Sequence, residues 1–111
     1  MLDYGYIVKF YKKTDYFFLE KIKDYLNNIN INIKIIKIKY NNITTQIFFD
    51  NNSVINVMLN NNKCNIWVNS VTFDRIEEIA KGLPILDIMI DIIKNLFKLK
   101  EINKVDLNKQ E

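Results

Sequence analysis

Histidine is absent from this chain of 111 residues, and cysteine and proline occur once each and glycine twice. Each scarcity closes off chemistry. Without histidine there is no Ser–His or Cys–His nucleophile pair and no imidazole metal ligand. Cys64 alone excludes an intrachain disulfide and a structural thiolate zinc site, and it fits a reducing, cytoplasmic setting. Gly5 and Gly82 lie too far apart to form a phosphate-cradling loop. No Asp/Glu-x-Lys triplet occurs anywhere, so the usual end of a metal-dependent nuclease motif is missing. No segment reaches the ~20 apolar residues that span a bilayer, because Asp87 and Asp91 interrupt the best candidate. The first residues, MLDYGYIVKFYKK, lack the charged-then-apolar order of a signal peptide. The expectation is a chain with no catalytic residues, no metal, no cofactor and no membrane partner.

What is present is apolar and β-branched. Hydrophobic residues make up 49% of the chain and aromatics 13%, enough for a packed core rather than a disordered coil. Ile dominates the apolar set, with Asn and Lys prominent among the polar residues, a bias that AT-rich coding also produces. The net charge of +3 is too small to imply a polyanion partner by itself. It is unevenly spread: residues 1–49 carry eight lysines against four acids, whereas residues 74–93 carry five acids against Arg75 and Lys81.

Tyr4–Tyr11 alternates as a strand. Thr14 or Asp15 can cap the helix that follows, whose apolar stripe is Phe18, Ile22, Tyr25, Leu26 and Ile29. Ile29–Tyr40 alternates again, but its phase slips at Ile35-Ile36. A β-bulge at that doublet would turn both halves inward and leave Lys34, Lys37 and Lys39 together outside. Ile43–Asp50, Ser53–Leu59 and Cys64–Asn69 are three further strands separated by Asn-rich turns. Ile43, Ile47, Phe49, Ile55, Val57, Leu59, Cys64, Ile66 and Val68 form their inward set. Phe48, Met58 and Trp67 then fall on the opposite face and make an apolar patch there unless something covers it.

The segment FDRIEEIAK reads as a short helix opened by Thr72 or Asp74. Its acids Asp74, Glu77 and Glu78 suit the first helical turn better than a Mg²⁺ site. Gly82 and Pro84 read as a stop signal that separates it from a longer helix, Ile85–Lys100. In that helix Asp87, Asp91, Lys94, Asn95 and Lys98 gather in a stripe about 120° wide, which leaves about 240° apolar. Such a helix needs cover on two sides.

The expected fold is α+β, in the order β-α-β-β-β-β-α-α, with helices packed on one face of a largely antiparallel sheet. One domain spans 1–102, and 103–111 form a polar, frayed tail. The expected function is a non-catalytic domain that binds another protein or itself as a homodimer. Met89, Ile90, Ile93 and Phe97 are the expected partner-binding residues. Small size and catalytic bareness match the profile of inhibitors of host-defence effectors, including those of mobile elements, and of toxin-immunity proteins. The alternative is a small nucleic-acid-binding protein that uses Lys34, Lys37, Lys39 and Tyr40 on one strand.

Overall fold

In the computed structural model, which describes residues 3–41, 44–69 and 76–106, the fold is α+β. The elements are β1 (Asp3–Phe10), α1 (Phe17–Asn28), β2 (Ile35–Lys39), β3 (Thr45–Phe49), β4 (Val54–Asn60), β5 (Lys63–Asn69), α2 (Ile76–Leu96) and β6 (Leu99–Asp106). They build one six-stranded sheet in the order β2-β3-β4-β5-β1-β6. Every neighbouring pair is antiparallel. The helices share one side of it, and their buried residues join the inward residues of the strands in one continuous core.

The four middle strands follow their alternation. Ile47, Phe49, Ile55, Val57, Cys64, Ile66 and Val68 are buried, as is Val8 on β1. Asparagine makes the turns. Among the described residues, Asn52 and Asn61 are the non-glycine residues with positive φ, at 70° and 60°, a conformation that asparagine adopts more readily than most residues. The β4–β5 turn is also tied to β1: Phe10 N–H donates to the Asn62 carbonyl at 2.8 Å, and Asn62 Nδ2 donates to the Phe10 carbonyl at 2.9 Å.

At the start of α1, Asp15 Oδ1 accepts from the Phe17 N–H at 2.9 Å, but the N-cap position itself falls on Tyr16, which makes no side-chain cap bond, rather than on Thr14 or Asp15. Phe18, Leu19, Ile22 and Leu26 are its buried face. The expected bulge is present, as a register shift between Ile35 and Lys37. It buries Ile35 but leaves Ile36 facing solvent, and the strand proper begins only at Ile35. Before it, Ile29, Ile31 and Ile33 pack on the core from irregular chain.

Two boundaries differ from expectation. Gly82 and Pro84 do not separate two helices; α2 runs through both. Gly82 has no positive φ, and a Cβ there would lie 2.9 Å from Val68 Cγ1. Its missing side chain lets the helix approach the sheet, not stop. An interior proline costs about 3 kcal/mol. Burial of Ile85, Leu86, Met89, Ile90 and Ile93 just beyond Pro84 offsets that cost. The expected helix start at Thr72 or Asp74 and the expected inward residue Ile43 lie outside the described residues. The second difference is at the other end. α2 stops at Leu96, and the expected end of the helix together with residues 103–106 of the expected tail forms the edge strand β6, paired with β1. Leu99 and Ile102 of β6 pack against the core.

Thr45 of β3 is fully buried, and its Oγ1 has no hydrogen-bond partner. A buried unpaired hydroxyl costs about 1–3 kcal/mol. Thr45→Val keeps the branched shape and removes that hydroxyl. It should raise the free energy of urea unfolding by about 1 kcal/mol; a loss of stability would show that the hydroxyl is satisfied.

Candidate interaction surface

The residues expected to reach a partner are interior. Met89 and Ile93 are 0% exposed and Ile90 is 2% exposed. Phe97 is partly buried in an aromatic trio, with ring centroids 6.0 Å from both Phe10 and Phe18. The surplus arc of α2 is thus the domain's own core. α2 lies across β5 and β4 and touches α1. Leu99 and Ile102 pack on the same core from the edge strand that the polar sequence hid. Asp87, Asp91, Lys94 and Asn95 remain as the exposed stripe.

The basic strand does not form one surface either. Lys34 Nζ donates to the Leu26 carbonyl at 2.6 Å, at the C-terminal end of α1 where a cation is favoured. Tyr40 Oη donates to Glu20 Oε1 at 2.8 Å and so ties the end of β2 to α1. Lys37 and Lys39 pair with Phe48 and Gln46 in register and share their outward face. Four residues expected together are therefore split between the helical layer and the open sheet.

Among the described residues, the face of the sheet opposite the helices carries an apolar surface with no partner element. Register places Trp67 between Asn56 and Gly5, and Gly5 between Trp67 and Val105. In the next row Met58 faces Asn65, and Asn65 faces Ile7. Gly5, Ile7, Met58, Asn65, Trp67 and Val105 line a hollow of about 160 Å³, open on one side. Gly5 makes the hollow by having no side chain. A Cβ there would lie 2.5 Å from the Ile66 carbonyl oxygen and 2.7 Å from Trp67 Cβ. Phe48 and Ile36 extend the apolar band toward β2. The amides Gln46 and Asn56 lie between, with Gln46 Nε2 donating to Asn56 Oδ1 at 3.4 Å. Lysines stand at the margin: Lys37, Lys39 and Lys63, and Lys9, whose Nζ is 3.3 Å from Glu101. The sequence pattern did identify the patch through Phe48, Met58 and Trp67. It missed Gly5, Ile7 and Val105, since a hollow depends on cross-strand neighbours.

Among the described residues no group of three His, Cys, Asp or Glu side chains could hold a metal ion. The side chains of Asp74, Glu77 and Glu78 lie outside the described set. Burial pushes the Cys64 thiol up to about 12, so at neutral pH it is an inert apolar side chain rather than a nucleophile. No helix among the described residues is long and apolar enough to cross a membrane. Comparison with known protein families, characterised proteins and solved structures finds no match to this chain.

Two expectations arise from these contacts. Gly5→Ala forces a Cβ against backbone atoms, so it should lower unfolding stability by about 2 kcal/mol or more in a denaturant titration. An unchanged midpoint would show that β1 and β5 can separate freely at this point. The second concerns alkaline pH. Burial, then the bond its Oη donates to Asp87 at 2.8 Å, raises the Tyr6 phenol to about 12. Burial, then Glu20, does the same for Tyr40. Both shifts lie above the ordinary value, so the stability they contribute is complete at low pH. It is lost once the unfolded chain begins to release these protons. Stability should decline from about pH 9, where an unfolded Cys64 ionises, and more steeply between about pH 10 and 12. In a Tyr6→Phe/Tyr40→Phe variant the steeper part should flatten; an identical slope would assign it to other groups.

Proposed function

We propose that this is a non-catalytic protein-interaction domain, and that it docks through the open face of its sheet. One observation carries the reading. Both helices lie on one side of the six-stranded sheet, and the other side carries Trp67, Met58, Ile7 and Val105 around a hollow, with Phe48 on the same face toward β2. An apolar centre with a polar and charged rim is the anatomy of a protein-docking surface. The rim lysines Lys37, Lys39 and Lys63 favour a partner whose apolar projection is ringed by acids. A small domain of this kind acts by occupying a surface of its target. That is how an inhibitor of a defence effector or an immunity protein against a toxin works. A free cysteine kept buried suits a reducing, cytoplasmic setting.

A second reading rests on the same face, because aromatics and lysines on an open sheet also suit single-stranded nucleic acid. The placement of Lys37 weakens it. Its Nζ lies 5.8 Å from the centroid of the Phe48 ring, over the face on which a base would stack. The residues around Trp67 are aliphatic and amide side chains rather than cations.

The test compares two surface charges. Met58→Glu places a carboxylate in the centre of the open face, and Leu96→Glu places one at an exposed position on α2. With both variants folded, Met58→Glu should weaken co-purification of the cellular partner by about 30-fold or more, the scale of a hot-spot residue. Leu96→Glu should leave it unchanged. The opposite pattern would move the interface to the helical layer, and a partner removed by nuclease would establish the second reading.

A further inference from the structure

The hollow over Gly5 has the size and the polarity of a single aromatic anchor. Its volume of about 160 Å³ is close to the ~150 Å³ of an apolar cavity that accommodates benzene. Its walls are Trp67, Ile7, Met58 and Val105, a flat ring with three flexible or branched aliphatic side chains. One polar group stands among them, the Asn65 carboxamide, and its Oδ1 is buried with no hydrogen-bond partner. Rotation about the last bond of an asparagine side chain is soft, so this amide can turn its oxygen or its nitrogen toward the hollow. An occupant that is aromatic at one end and carries one hydroxyl at the other would complete the site. The hydroxyl can donate to the amide oxygen or accept from its nitrogen, whichever faces it.

We propose that the hollow receives one tyrosine side chain of the partner protein, its ring against Trp67 and its hydroxyl on Asn65. This rests on the open face being the docking surface, and it names the residue that the partner inserts there. Tyrosine is among the residues enriched at the energetic centres of protein interfaces, in pockets of this kind. The aliphatic walls bury the ring, and the unused amide separates tyrosine from phenylalanine. A site built to hydrogen-bond a hydroxyl disfavours the analogue that lacks it, since its own polar group is then left unpaired.

The probe is the side chain alone. p-Cresol is the tyrosine side chain, and toluene is the same ring without the hydroxyl. Trp67 is the one tryptophan in the chain, so its indole N–H gives a single resonance that reports directly on the hollow. p-Cresol should shift that resonance saturably with a millimolar Kd and bind at least about fivefold more tightly than toluene. A purely apolar hollow would rank them the other way, because a buried hydroxyl without a partner is penalised. In Asn65→Leu, which keeps the walls and removes the amide, toluene should become the tighter ligand. Toluene binding as well as p-cresol in the unaltered protein would overturn the proposal. So would the absence of a saturable shift, or tighter binding of adenosine monophosphate, which would assign the hollow to a base. No partner is present in this assay, so the two readings fail separately. If p-cresol does not bind while Met58→Glu still loses the partner, the tyrosine anchor is removed and the docking face stands.

Discussion

The apolar arc of α2 must be covered, and much of the architecture answers to that requirement. A helix with roughly two thirds of its circumference apolar cannot rest on a narrow sheet with one flank in water. Here it lies across β4 and β5, α1 touches it from the side, and Leu99 and Ile102 of β6 pack on the same core. The aromatic trio of Phe10, Phe18 and Phe97 joins β1, α1 and the end of α2 where these elements meet. Gly82 belongs to the same solution, since its lack of a Cβ lets α2 sit close to Val68.

Placing both helices on one side has a consequence for the other. Six strands present two faces, and only one is buried by helices. On the other face Trp67, Met58, Phe48, Ile7 and Val105 lie beside amides and lysines. Polar contacts elsewhere do structural work. Tyr6 with Asp87 and Tyr40 with Glu20 bind strands to helices, and the Leu59 N–H donates to Tyr16 Oη at 2.9 Å. Lys34 serves the end of α1. Among the described residues, the open face keeps apolar side chains and amides that these structural contacts do not use.

Period-two alternation made β1, β3, β4 and β5 legible, together with the inward set and the outward Phe48, Met58 and Trp67. The slipped phase at Ile35-Ile36 located the bulge, because one extra residue is what such a slip requires. Two signals misled for identifiable reasons. Gly82 and Pro84 resemble a stop, but a glycine needed for close packing and one needed for a left-handed turn are the same letter. LKEINKVD resembles a tail because an edge strand with one open face has few apolar residues to show. Without β6 the helix kept an uncovered arc, and that is why Met89, Ile90, Ile93 and Phe97 were placed at an interface rather than in the core.

By itself the sequence determined what the protein lacks and how its strands are faced. Residue types decide which catalytic pairs and metal sites can exist, and alternation is a local property that every strand carries with it. Only the tertiary structure decided which apolar surface is spare. That depends on the total cover available to each element, and cover is contributed by segments distant in the chain. The hollow over Gly5 shows this most directly: Gly5, Met58, Trp67 and Val105 are scattered through the sequence and become neighbours only when β4, β5, β1 and β6 align.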